Sequence, residues 1–136
     1  MDSESIFNSD IAPDCDVYYQ FLGSINQAAI SNGVSRRGIA ERVNAALKTD
    51  EVVLQESALN RFLAPGSNDY LPAHILPALL WSVGSIEPIN LLLKPLMFRA
   101  YDTRAMLLKQ HKELELQKQQ ISKRQAEIEQ NLTLTI

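Results

Sequence analysis

The sequence has almost no cysteine and no strong excess of charge of either sign. Cys15 is the single cysteine among 136 residues, so neither an intramolecular disulfide nor a cysteine-rich zinc module can form. The 13 basic and 16 acidic residues leave a formal net charge of -3, so the chain is not strongly basic. With 46% hydrophobic and 21% charged residues, it is too apolar to be disordered throughout. We expect one folded domain of ordinary size with an appendage.

A long hydrophobic run and a secretory signal are also missing. The longest apolar stretches, 71–83 and 86–93, contain proline or glutamate, are separated by Gly84 and fall short of the roughly 18–20 residues that span a bilayer. The acidic start, with Asp2, Glu4 and Asp10, lacks the basic region of a signal peptide. We therefore predict no transmembrane segment and a reducing, cytoplasmic location.

The negative charge is concentrated at the amino terminus. Residues 1–34 carry five acids and no base, whereas residues 35–65 carry five bases and four acids. Such a chain can still bind nucleic acid, because phosphate contacts are made by a local patch. Residues 1–15 are polar, contain Pro13 and have no sustained apolar period, which predicts a flexible acidic segment.

Apolar periodicity and turn residues predict two helices before residue 48. From Asp16 onward, apolar residues recur three or four apart until Asn32-Gly33 supplies a left-handed stop. Ser35 stands at the N-cap of a second helix that runs to Leu47. Residues 48–56 remain open between a short extended piece and an early start of the next helix.

Three further short helices are predicted up to residue 93. The first covers Ser57 to Ala64, with Ser57 also capping it. The second opens at Pro72 and ends at Gly84, and Pro77 should bend or divide it. The third covers 89–93 and is opened by a proline. Residues 16–93 are therefore predicted to form a five-helix domain.

A long helix is predicted over 94–131, followed by a tail over 132–136. Between Pro95 and about Gln130 there is neither a further proline nor a glycine, and strong helix formers dominate. Four apolar residues recur there every seven positions, and we call them the seven-residue stripe: Leu107, Leu114, Ile121 and Ile128. The tail alternates apolar residues with threonine, which suits a short strand or a docking peptide: Leu132, Leu134 and Ile136.

The seven-residue stripe is half of a coiled-coil seam. The other seam position is polar in either frame: Gln110, Gln117 and Arg124, or His111, Lys118 and Gln125. We predict that the stripe mediates oligomerisation, because it would otherwise leave apolar surface without a partner. The alternative is an exposed helix supported by charge pairs such as Lys109 with Glu113.

Residues suited to catalysis are scarce. His74 and His111 lie far apart in sequence, and no zinc-protease, nucleophile-elbow, glycine-rich phosphate or paired-cysteine motif occurs. We predict no enzymatic activity, no catalytic residues, no metal, no cofactor and no small-molecule substrate.

The second and third helices carry side chains suited to duplex DNA. Arginine contacts phosphates or guanine edges, asparagine pairs with adenine, and serine can donate to a phosphate. The candidates for phosphate contacts are Arg36, Arg37, Arg42 and Lys48. The candidates for reading bases are Ser57, Asn60 and Arg61.

The stretch 35–93 resembles lambda-repressor-like helix-turn-helix domains and among them is most similar to phage regulatory CII-type proteins. The matching residues are Ile39-Ala40-Glu41-Arg42-Val43 with Ala46-Leu47, Ser57-Ala58-Leu59-Asn60-Arg61-Phe62-Leu63-Ala64-Pro65, Leu71-Pro72 with Leu79-Leu80 and Gly84, and Glu87-Pro88-Ile89. The resemblance implies a positioning helix, a recognition helix and an oligomeric DNA-binding transcriptional regulator of phage or prophage type. The nine residues of 48–56 depart from the usual turn of about four.

These observations predict an all-α protein in which a compact five-helix helix-turn-helix domain precedes a long C-terminal helix, with a possible coiled coil. The predicted function is sequence-specific transcriptional regulation, with double-stranded DNA and further copies of the chain, as a dimer or tetramer, as partners. The alternative is a non-catalytic adaptor that binds other proteins through the helical domain and the C-terminal helix. The net charge of only +1 over 35–65 is small for binding driven by counterion release.

Overall fold

A computed structural model of the protein describes residues 5–134, in which six α-helices follow one another. Their bounds are α1 Tyr18–Ser31, α2 Arg36–Ala46, α3 Glu56–Leu63, α4 Leu76–Val83, α5 Glu87–Leu93 and α6 Thr103–Leu134. Single 3₁₀ turns occur at Ile6–Asn8, Ala73–Ile75 and Lys94–Leu96. Residues 5–134 contain no strand, so the predicted all-α class with a long C-terminal helix is confirmed.

The chain divides into two units between Ala100 and Tyr101, and the first unit holds α1–α5 around one apolar core. Within it, α2 packs against α3 and α4, while α1 packs against α4 and α5. The core consists of Phe21, Leu22, Ile25, Ala29, Ile39, Val43, Leu54, Leu59, Leu63, Ile75, Ala78, Leu79 and Val83. Burying a leucine, isoleucine or phenylalanine side chain stabilises the fold by about 1.5–3 kcal/mol.

Local signals set the ends of several helices as predicted. The Ser35 hydroxyl accepts a hydrogen bond from the Gly38 amide (3.0 Å) and so caps α2. Gly33 follows α1 with φ 66°, and Gly84 ends α4 with φ 72°. Both angles lie in the left-handed region that glycine adopts without steric cost. Gly84 also donates its amide hydrogen to the carbonyl of Leu80 (2.9 Å).

Two predictions about α3 and α4 need correction or refinement. Helix α3 begins at Glu56 with Gln55 at the N-cap and no side-chain cap, so Ser57 lies inside the first turn and does not cap the helix. At Pro77 the predicted division is present. A 3₁₀ turn ends at Ile75, and α4 begins at Leu76 with Pro77 in its first turn, where no amide donor is needed.

The second unit is the single helix α6, which begins at Thr103 and not near Pro95. Pro95 lies in a 3₁₀ turn, and Met97 then takes a left-handed conformation with φ 62°. Asp102 accepts a hydrogen bond from the Ala105 amide (3.1 Å), which supplies the cap of α6.

At its other end α6 continues to Leu134, so Leu132 and Leu134 are helical and the predicted short strand is wrong for them, while the docking peptide stays a prediction. Ile136, the third residue of that predicted tail, lies outside the described residues, as do Asp2 and Glu4 of the acidic segment. The 32 residues of α6 correspond to about 48 Å at 1.5 Å per residue.

Candidate nucleic-acid interface

Helix α3 has one buried side and one exposed side. Leu59 and Leu63 are buried in the core, at 0% and 1% exposure. Ser57, Asn60 and Arg61 are all exposed, and their spacing of three and four residues puts them on the opposite side of the helix. The structure therefore brings the three base-reading candidates together on one solvent-facing surface, which we call the α3 face.

Arg61 on the α3 face is engaged by a carboxylate. Its Nε lies 3.0 Å from Oδ2 of Asp69, and both side chains are more than half exposed. Asp69 is itself positioned by a turn in which its amide donates to the Ser67 hydroxyl (3.1 Å). Exposed ion pairs contribute about 0–1 kcal/mol, so Arg61 can exchange Asp69 for another acceptor at little cost.

Arg37 and Arg42 lie on the exposed side of α2 and have different partners. Arg37 makes an exposed ion pair with Glu41, one turn along the helix, at 3.3 Å. The Arg42 guanidinium lies 4.2 Å from the centre of the Trp81 ring, and its Nη2 is 3.5 Å from the Trp81 carbonyl oxygen. A guanidinium over an indole is a cation–π contact that holds the side chain while leaving it exposed.

Arg36, the third arginine among the predicted phosphate contacts, lies against the surface of α1. Its Nη2 donates to Oδ1 of Asn26 on α1 at 2.7 Å, and the side chain is partly buried. Its Nη1 is buried without a hydrogen-bond partner. This burial lowers the pKa of the Arg36 guanidinium from its ordinary value. Of the predicted phosphate contacts, Arg36 is thus the one least accessible to a ligand.

The connector between α2 and α3, which sequence patterns left open, contains no early helix start, because α3 begins only at Glu56, and its last residue, Gln55, has an extended backbone. Lys48 leaves α2 in a left-handed conformation with φ 56° and is exposed. Asn44 on α2 then holds the connector. Its Nδ2 donates to the Leu54 carbonyl (2.7 Å), and its Oδ1 accepts from the amides of Val53 (2.9 Å) and Leu54 (2.8 Å).

These bonds satisfy backbone amides and a carbonyl that have no partner in a helix or a strand. They therefore allow Leu54 to be buried in the core. The nine-residue connector is consequently tied to α2 through its last residues. Sequence patterns gave no sign of this role for Asn44, because the amide acts on backbone groups about ten residues further on.

An aromatic cluster beside the α3 face was not predicted. The Tyr18 hydroxyl accepts a hydrogen bond from the Leu71 amide (3.0 Å), and the Tyr70 ring meets the Tyr18 ring edge-on at 5.3 Å. Tyr70 follows Asp69 directly, so this cluster anchors the loop that engages Arg61. Tyr19 and Tyr70 remain exposed. The adjacent tyrosines at the start of α1, Tyr18 and Tyr19, were the feature of the sequence that could have indicated this cluster.

Few of the described residues are arranged to bind a metal ion or to catalyse a reaction. Within residues 5–134 no group of three or more histidine, cysteine, aspartate or glutamate side chains could hold a metal ion. His74 and His111 are both exposed, and His111 lies 3.1 Å from Glu115 on α6. In that same range no helix is long and apolar enough to cross a membrane.

Comparison of the chain with protein-family models, with curated proteins and with solved structures finds no match.

Proposed function

We propose that the chain is a sequence-specific transcriptional regulator of phage or prophage type, which binds double-stranded DNA in the cytoplasm as an oligomer. One observation carries the proposal. The short helix α3 is anchored in the core by Leu59 and Leu63 and presents Ser57, Asn60 and Arg61 together on its outer side. In this proposal α2 and α3 act as the positioning and recognition helices of a helix-turn-helix domain.

The side chains of the α3 face suit the edges of bases in a major groove. Asn60 carries an amide that pairs with the N6 and N7 atoms of adenine, and Arg61 carries a guanidinium that pairs with the O6 and N7 atoms of guanine. Arg61 must leave Asp69 to do so, which is inexpensive for an exposed ion pair. Ser57, in the first turn, suits a phosphate or a base edge.

In this proposal the exposed basic side chains of α2 and of the connector contact the phosphates. Arg37, Arg42 and Lys48 are all exposed, whereas Arg36 is partly buried against Asn26. Three contacts per copy give six in a dimer, so the logarithm of the binding constant should fall against the logarithm of salt concentration with a slope of roughly -5. Because residues 35–65 carry a net charge of only +1, binding by two copies matters to the affinity.

Selection from a random duplex pool, followed by fluorescence anisotropy at fixed salt, tests the proposal. An enriched sequence is expected. The Asn60→Ala/Arg61→Ala variant should bind it at least about thirtyfold more weakly, since each base contact contributes about 1–3 kcal/mol. Arg104→Ala, which removes an exposed arginine from α6, is the matched control and should bind nearly as well.

The Asn60→Ala/Arg61→Ala variant should keep its melting temperature, because Asn60 and Arg61 are exposed and only an exposed ion pair is lost. Equal binding by the double variant and the unchanged protein would contradict the proposal that the α3 face reads bases.

A non-catalytic adaptor is the second candidate. It is favoured by α6, in which no residue of Thr103–Leu134 is buried, and by the intramolecular partners that Arg36, Arg37 and Arg42 already have. After retention on heparin at low salt has been measured, a selection with no enriched duplex sequence would favour the adaptor over the regulator.

A further inference from the structure

Helix α6 presents an apolar stripe that is exposed along the described helix, Thr103–Leu134. None of its residues is buried, and the four members of the seven-residue stripe are 50–63% exposed. They repeat at every seventh position, which keeps them on one side of a helix that winds around another. A helix of this length that covers no core needs a partner for such a stripe.

We propose that α6 pairs with α6 of a second copy of this chain as a parallel, in-register, two-stranded coiled coil. In a parallel pair, equivalent seam positions face each other, so Leu107, Leu114, Ile121 and Ile128 each meet their own counterpart. This creates four wholly apolar layers. In an antiparallel pair, each stripe residue would face a polar seam residue of the second copy, and no layer would be wholly apolar.

The second seam position in this pair is taken by Gln110, Gln117 and Arg124. A glutamine amide has both donor and acceptor groups, so Gln110 and Gln117 can each hydrogen-bond to their own counterpart across the two-fold axis. The other frame would also contain one layer with two like charges, at Lys118, but it would keep a single glutamine layer, at Gln125, in place of two. It would also draw His111 into the seam, although His111 contacts Glu115 on the side of the helix.

Charge complementarity across the pair supports the parallel arrangement. With the stripe at one seam position, Glu113 and Lys118 take the two positions that flank the seam. In a parallel pair, Glu113 of one copy lies beside Lys118 of the second copy, and this pairing occurs twice by symmetry. Both side chains are exposed in the single chain, so they are accessible to a second copy.

Arg124 is the weak layer of the pair, because two like charges face each other at that level. Its replacement by leucine should therefore strengthen association. A parallel pair also puts both first units at the same end of the coiled coil, which suits two adjacent half-sites on DNA. Only that last consequence rests on the proposed function; the pairing itself does not.

Sedimentation equilibrium on the full chain, without DNA, tests the pairing. The chain should sediment as a dimer at micromolar concentration, and Glu113→Lys or Lys118→Glu should each weaken the dimer about tenfold, since two attractive pairs become repulsive. An equimolar mixture of the two variants should recover the original affinity, because the mixed pair restores both contacts. Controls on the outer surface, Lys112→Glu and Glu129→Lys, should change the affinity by less than about twofold.

Disulfide formation distinguishes the orientations. In a Cys15→Ser background, Gln110→Cys should cross-link two copies on mild oxidation, because the equivalent seam positions lie close enough for a disulfide only in a parallel pair. Lys112→Cys on the outer surface should stay monomeric on a non-reducing gel. A monomer by sedimentation, a mixture that fails to recover, or no cross-link at residue 110 overturns the proposal. Loss of sequence-specific DNA binding alone does not affect it.

Discussion

The guanidinium of Arg42 stacks on the indole of Trp81, with the guanidinium carbon 4.2 Å from the ring centre. The two residues join α2 to α4 on the protein surface, and Trp81 is more than half exposed. This contact fixes the direction of an arginine that would otherwise sample many rotamers. An arginine held in place but still exposed loses less entropy when it binds a phosphate.

Replacing Arg42 by glutamine should lower the free energy of unfolding by about 0.5–1 kcal/mol, the contribution of an exposed cation–π contact. Urea denaturation followed by circular dichroism measures this change. Trp81 is the single tryptophan, so its fluorescence in the folded state should also shift. Arg37→Gln, which removes only an exposed ion pair, is the control and should cost less than about 0.5 kcal/mol. Equal losses in both variants would contradict a stabilising stack.

Replacing Asn44 by alanine should be far more costly. The change leaves the part-buried amide and carbonyl of Leu54 without their partner, and such a group costs about 1–3 kcal/mol when it is shielded from water, whereas the exposed Val53 amide can bond to water instead. We expect a loss of about 2–4 kcal/mol in urea denaturation. Asn44→Asp keeps the accepting oxygen and should lose less. Asn68→Ala, at an exposed loop position, should be nearly neutral. A neutral Asn44→Ala would show that the connector holds its conformation without this side chain.

Asp69→Asn should strengthen DNA binding. The change removes the carboxylate that competes with DNA for Arg61, and it also removes one negative charge beside the α3 face. Affinity for the selected duplex should rise about threefold in fluorescence anisotropy at fixed salt. Asp10→Asn, which makes the same change of charge at an exposed position near the amino terminus, is the control. An equal rise in both variants would indicate an effect of net charge alone.

A chain that ends at Ala100 should fold as the first unit alone. All the core residues lie before this point, and α6 buries none of its own. Its cooperative unfolding, followed by circular dichroism, should not depend on protein concentration, whereas the loss of the α6 helix in the full chain should do so if α6 joins two copies. Concentration dependence in the shortened chain would place an association surface on the first unit.

The helices were predictable because their ends are set by neighbours in sequence. Ser35 caps α2 through an amide three residues away, and Gly84 ends α4 through its own backbone. Leu59 and Leu63 are four residues apart, a spacing that puts both on one side of α3, and that side is buried. The start of α6 was misplaced because a proline such as Pro95 is common in the first turn of a helix. In the structure Asn90 accepts a hydrogen bond from the Ala100 amide, which holds the stretch after Pro95 outside the helix.

The sequence by itself determined the all-α class, the approximate helices of the first unit and the exposed stripe of α6, since each depends on residues within one or two turns of each other. Only the tertiary structure decided which basic side chains are accessible. Arg36 meets Asn26 on another helix, Arg42 meets Trp81 39 residues away, and Arg61 meets Asp69 beyond the end of α3. Such partners are brought together by the packing of α1, α2 and α4 around the core, and no local pattern specifies them.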